Sequence, residues 1–124
     1  HISYIHNDFN YQDIYFLGYL FPGMPKLTIT PESVSVTPGT SQVRLECRAE
    51  GYPQPKITWS QNGRQLAPSL RHLFFPEGTL LIRNVEGSDH GTYRCEASNY
   101  NGRVSAEADL LINGKSWNTL NKVK

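Results

Sequence analysis

No apolar run in this 124-residue chain is long enough to cross a bilayer. The longest, Ile14 to Phe21, falls far short of the ~20 residues a membrane helix needs. It also lacks the basic flank of a secretory leader, because Asp8 and Asp13 stand where Lys or Arg belongs. Charge of one sign is missing as well. Twelve Lys and Arg face eleven Asp and Glu, a net charge of +1, which argues against the dedicated basic surface that nucleic-acid binding requires. No stretch of ten or more residues keeps a 3.6-residue period, so no long helix is expected. Internal repeats and low-complexity tracts are absent too. His1, His6, His72 and His90 are scattered, with no pair at helical zinc-site spacing. There is no Gly-rich phosphate loop, serine elbow or Cys–His pair. These absences leave no catalytic residue, metal or cofactor to expect. No Asn-X-Ser/Thr sequon occurs, so N-glycosylation is not expected.

What is present suits one domain with many turns. The chain has room for one core, and its 38% apolar and 19% charged residues are ordinary for a soluble module. Ten Gly and eight Pro favour strands and turns over helices. Because the chain begins at His1, it reads as a fragment or processed piece. Residues 1–23 differ in composition from the rest and are expected to lie outside the domain as a linker, with a docking segment as the alternative. The domain is expected over 24–114, and the polar tail 115–124 is expected to be mobile.

From Pro25 onward, short alternating runs are cut by turn residues, the pattern of an antiparallel all-β domain. Lys26–Thr30 and Ser33–Val36 read as an edge strand broken at Pro31, which lacks an amide donor and forces a change of partner. Gln42–Ala49 alternates, with Val43, Leu45, Cys47 and Ala49 on one face. Lys56–Ser60 turns Ile57 and Trp59 inward, and Asn62-Gly63 then supplies a type I′ hairpin turn. Thr79–Arg83 offers Leu80 and Ile82 as an inward pair, with Val85 closing the corner. Gly91–Ser98 places Tyr93, Cys95 and Ala97 inward. Gly102–Ile112 finishes with Ala106, Ala108, Leu110 and Ile112.

Cys47 and Cys95 each sit at the centre of an inward-facing strand. Facing sheets of a sandwich lie about 10 Å apart, a gap a disulfide can bridge. Closing so long a loop stabilises by roughly 4 kcal/mol in the chain-entropy model. Trp59, on the next strand, would fill the core beside it. The run Asp89-His90-Gly91-Thr92-Tyr93-Arg94-Cys95 adds a separate signal. Tyr93, two residues before the second cysteine, can tether its hydroxyl to backbone a few residues upstream. Asp89 is placed to accept a charge-assisted bond, with Arg71 as its partner.

Those motifs, with Gly51-Tyr52-Pro53-Gln54-Pro55-Lys56-Ile57-Thr58-Trp59, Gly78–Val85 and Cys95-Glu96-Ala97-Ser98-Asn99 followed by Gly102, resemble the intermediate-set (I-set) immunoglobulin domains. The resemblance covers most of residues 24–114. It implies an immunoglobulin-like two-sheet antiparallel Greek-key sandwich with one intersheet disulfide. The interval from Trp59 to Tyr93 leaves room for a small strand near Arg64–Leu66 but not for the extra strand of variable-type domains. By resemblance the domain is a non-catalytic recognition and adhesion module of a larger extracellular or cell-surface protein. It would bind other proteins, with homophilic and heterophilic binding both left open. The alternative is an intracellular structural module of a muscle or cytoskeletal filament protein, with Cys47 and Cys95 as buried thiols.

Candidate contact residues are the aromatics Tyr52, Phe74, Phe75 and Tyr100, because aromatic side chains carry much interface energy. Tyr52, after the first cysteine strand, and Tyr100, at the last hairpin, are expected at opposite ends or separate rims. The bland alternative is that they cover the edge of the core. His90 beside Asp89 reads as a solvated loop residue, with a pH switch as the sharper alternative. Outward Arg and Lys residues would suit a glycosaminoglycan only if they clustered. Glu46, Glu50, Glu96 and Glu107 are interspersed among them, which favours a solvated mixed surface. No direct membrane insertion is expected.

Overall fold

Pro31 shapes the first edge of the molecule. In chain order the strands are β1 (Lys26–Ile29), β2 (Val34–Val36), β3 (Gln42–Leu45), β4 (Arg48–Glu50), β5 (Lys56–Gln61), β6 (Arg64–Gln65), β7 (His72–Phe74), β8 (Leu80–Arg83), β9 (Gly91–Asn99) and β10 (Gly102–Ile112). Before Pro31, β1 pairs antiparallel with β4; after it, β2 runs parallel to β10. A residue without an amide proton cannot continue a ladder, so the chain changes sheets there. The computed structural model describes residues 23–113. The apolar run Ile14–Phe21 and the tail from residue 114 lie outside the described residues.

One sheet has the order β2-β10-β9-β5-β6 and a second the order β3-β8-β7. Only Glu46 and Cys47 separate β3 from β4, so the β1–β4 ribbon prolongs the smaller sheet. The architecture is an all-β sandwich, and the helical content of the described residues is a single 3-10 turn, Gly87–Asp89. Gln42–Ala49, expected as one strand, is two. β3 pairs with β8 and β4 with β1, and the ladder breaks where the partner changes.

The period-two alternation fills the space between the sheets. Val43, Leu45, Leu80, Ile82 and Val85 meet Trp59, Tyr93, Leu110 and Ile112 in one buried cluster. Cys47 and Cys95 form a disulfide at its centre, with Cα atoms 6.5 Å apart. Trp59 packs in the same cluster and donates from Nε1 to the Gly78 carbonyl at 3.0 Å. The identity of residue 78 is fixed by its own backbone. Gly78 has φ +124, and a Cβ there would run into the Cys47 carbonyl, so only glycine fits both the dihedral and the approach.

Alternation along β8 is incomplete as a guide, because Leu81 and Thr79 are buried as well as Leu80 and Ile82. Leu81 occupies the outer face of the central strand, opposite Arg44 on β3 and Leu73 on β7. Flanking side chains on both sides cover it to 8% exposure. The β5–β6 turn follows the sequence signal directly. Asn62 and Gly63 have φ of 50 and 83, the left-handed values a tight two-residue hairpin needs.

Candidate recognition surface

β9 runs the length of the molecule and separates two ends that are built differently. At its start, Asp89 is 2% exposed and meets Arg71 through both carboxylate oxygens, at 2.9 and 3.0 Å. The Glu86 amide donates to the same carboxylate at 2.8 Å. Arg71 also donates to the carbonyls of Arg83 and Asn84, both at 3.1 Å. The Tyr93 hydroxyl donates to the Asp89 carbonyl at 2.6 Å, tying the strand to the turn before it.

Electrostatics at this end follow from the same contacts. Burial pushes the Asp89 carboxyl up, but the Arg71 hydrogen bonds, the Glu86 amide and the Arg71 charge hold it below the ordinary 3.8. The Arg71 guanidinium is raised, chiefly by its hydrogen bond to Asp89. Burial raises the Tyr93 phenol, and the Asp89 charge adds to it. Burial, with the adjacent Arg71 charge, lowers His72 below 6.5. His72 bonds Ser69 Oγ through Nδ1 at 2.9 Å, while its Nε2 is buried without a partner. His90, the histidine singled out from sequence, is exposed.

At the other end of β9 the ties run through carboxamides. Asn99 Nδ2 donates to the carbonyls of Gly23 at 2.6 Å and Pro53 at 2.9 Å. Asn101 Nδ2 donates to the Tyr52 carbonyl at 3.0 Å, and the Tyr52 amide donates to the Gly23 carbonyl at 3.0 Å. The incoming chain, the loop after β4 and the β9–β10 hairpin are thus stapled together. Gly23, expected outside the domain, is one of the stapled residues.

Tyr52 and Tyr100 therefore share one end of the sandwich, which corrects the expectation of opposite ends or separate rims. The antiparallel register explains it. Lys56 at the start of β5 lies opposite Ser98 near the end of β9, so the loop before β5 and the hairpin after β9 must meet. Both rings stand out into solvent, Tyr52 at 79% exposure and Tyr100 at 93%, with the half-exposed Met24 at the same end. Phe75 is 38% exposed and begins the turn that leads to Gly78, beside Cys47. Phe74 differs: it is half-buried and packs against the core cluster.

The outer face of the larger sheet is a polar alternative. A groove of about 550 Å³ there is lined by Thr58, Ser60, Gln65, Arg94, Glu96 and Glu107. Arg103 approaches Glu96 at 3.7 Å, and Arg94 donates to Ser105 at 3.0 Å. Charges of both signs alternate across it, which does not make a polyanion patch. Sequence reasoning missed the Asn99 and Asn101 staples. Asn99-Tyr100-Asn101-Gly102 signals a turn, and asparagine side chains commonly bond nearby backbone, but which backbone they reach depends on the sheet topology. No helix among the described residues is long and apolar enough to cross a membrane.

With this geometry in view, comparison with known proteins is decisive for the family. The family model described as "Immunoglobulin I-set domain" matches residues 25–112. The chain belongs to the immunoglobulin I-set family. Among its relatives, the mouse peroxidasin homolog is 40% identical over 89 residues, covering 72% of this chain and 6% of that protein. Mouse hemicentin-1 is 45% identical over 78 residues, covering 63% of this chain and 1% of the relative. The chain thus spans a small part of the curated relatives it matches. A titin M10–obscurin like 1 Ig complex structure superposes with TM-score 0.68 at 33% identity, over 72% of this chain and 93% of the matched one. I-set domains therefore occur in larger proteins of both adhesion type and titin type.

Proposed function

We propose that this I-set domain is a non-catalytic protein-recognition module of a larger extracellular or cell-surface protein, and that its partner docks on the Tyr52–Tyr100 end. The observation that carries this is the pair of tyrosines presented in solvent on loops that hydrogen bonds hold in place. Large aromatic rings on a pre-organised surface supply contact area at low ordering cost, which is what interface anchors need. Phe75 extends the contact set, whereas Phe74 serves the core margin. Relatives of adhesion type support the extracellular assignment, as does the Cys47–Cys95 disulfide, because such bonds persist in oxidising compartments. The titin-like neighbour favours a second reading, a structural module of an intracellular filament protein.

The test is a binding screen of the immobilised full chain against secreted and cell-surface ectodomains, itself included. Each bound partner is then measured against Tyr52→Ser and Tyr100→Ser. Loss of roughly tenfold or more in affinity for at least one substitution is expected of an anchor. A partner indifferent to both but weakened by Arg94→Ala would move the contact to the polar sheet face and overturn the reading.

A further inference from the structure

Two Asn-Gly-Arg tripeptides sit on tight hairpins of this domain, Asn62-Gly63-Arg64 and Asn101-Gly102-Arg103. Asparagine before glycine is open to attack on its side-chain carbonyl carbon by the next backbone nitrogen, because glycine has no Cβ to shield that nitrogen. The two sites differ in which side-chain atom does structural work. At Asn62 it is the oxygen: Oδ1 accepts the Thr92 amide at 2.9 Å. The whole Asn62 carboxamide also lies over Gly91, where a Cβ would collide with it. At Asn101 it is the nitrogen: Nδ2 is the donor to the Tyr52 carbonyl.

We propose that Asn101 is a site of spontaneous deamidation that unlatches the loop end. The Gly102 nitrogen bonds to Asn101 Cγ and the Cγ–Nδ2 bond breaks. Nδ2 leaves as ammonia, carrying the Gly102 amide proton, and a cyclic imide remains. Water then opens the imide at either carbonyl, giving aspartate or isoaspartate, with no change in oxidation state. The reaction expels the very atom that holds Tyr52, and it leaves a carboxylate facing a carbonyl oxygen. Isoaspartate adds a backbone carbon to the hairpin as well. At Asn62 the aspartate product keeps an oxygen for the Thr92 amide, so there only the isoaspartate product, with its extra backbone carbon, disturbs the hairpin. Asn62 is held through Oδ1 and with its whole carboxamide over Gly91, whereas Asn101 is held through Nδ2, against the Tyr52 carbonyl and Gly23. We therefore expect Asn62 to be the slower of the two to convert. The Tyr52 end is therefore held by an atom that deamidation removes, whereas the Asn62 hairpin, at the opposite end of β9, is not.

The experiment ages the full chain at mildly alkaline pH. It follows each Asn-Gly peptide by mass spectrometry with isoaspartyl methyltransferase labelling, and reads Tyr52 amide hydrogen exchange by NMR. Asn101 is expected to convert before Asn62. The Tyr52 amide keeps its own bond to the Gly23 carbonyl, so its exchange reports opening of the loop. It should rise roughly fivefold on conversion, the factor given by about 1 kcal/mol less holding that loop. Asn101→Asp should reproduce that rise without ageing, Asn62→Asp should not, and Asn101→Gln should resist conversion. The aged wild-type chain supplies the readout if Asn101→Asp folds poorly. Conversion of Asn62 with Asn101 still an amide would overturn the proposal. So would Tyr52 exchange that stays at the starting rate after Asn101 has converted.

Discussion

The two ends of β9 hold their loops by different chemistry. The Asp89 end is closed by a buried ion pair, a tyrosine hydroxyl and a bonded turn, all drawn into one network. The Tyr52 end is held by neutral carboxamides and leaves its aromatic rings in solvent. A buried charge that loses its partner is costly, so the first end tolerates little change. A neutral hydrogen bond at the surface contributes about 1 kcal/mol, so side chains at the second end can change at smaller cost. On the proposed function, stability is concentrated at one end and recognition at the other.

Substitutions can break this contrast, and the largest effect is expected at Asp89. Asp89→Ala leaves Arg71 without its carboxylate and the Glu86 amide without an acceptor. We expect a loss of about 3 kcal/mol or more in urea unfolding. Tyr93→Phe removes only the 2.6 Å hydroxyl bond to the Asp89 carbonyl, with an expected loss of about 1.5 kcal/mol in the same assay. Tyr52→Ser and Tyr100→Ser should lie within about 0.5 kcal/mol of wild type, since neither ring is buried. A tyrosine substitution at the loop end that costs as much as Tyr93→Phe would dissolve the distinction.

Acid should unfold the molecule from the Asp89 end. His72 has a folded-state pKa below its ordinary 6.5, so below that value the unfolded chain takes up the proton first. Its contribution is complete above 6.5 and is lost as pH falls through the lowered folded value. Asp89 is likewise held below 3.8, so its contribution is complete above 3.8 and disappears as pH falls through its own folded value. Thermal melting against pH should therefore fall in two phases. His72→Gln should remove the upper one and Asp89→Asn the lower. A melting temperature independent of pH between 7 and 3 would contradict the assigned environments of both groups.

The core and the locked end were more legible in the sequence than the open end. Cys47, Trp59, Tyr93 and Cys95 could be turned inward from the two-residue period alone, and Asn62-Gly63 names its own turn. Arg71 and Asp89 could be matched because a charge-assisted bond has few partners to choose from. Tyr52 and Tyr100 were misplaced because their meeting depends on the pairing of β5 with β9 rather than on either loop. The Asn99 and Asn101 staples were missed for the same reason: a carboxamide bonds whatever backbone the topology brings within reach. Leu81 does face outward, but its burial was hidden because alternation along one strand does not report the cover supplied by its two neighbours.

The central claim, a recognition module of an oxidising compartment, is tested most directly by the thiol state of the natively produced protein. The chain is alkylated under denaturing conditions and weighed with and without prior reduction. We predict that Cys47 and Cys95 stay unlabelled until reduced and then take up two labels together. Two cysteines that label without reduction would contradict the extracellular account and place the domain with the filament modules of reducing compartments.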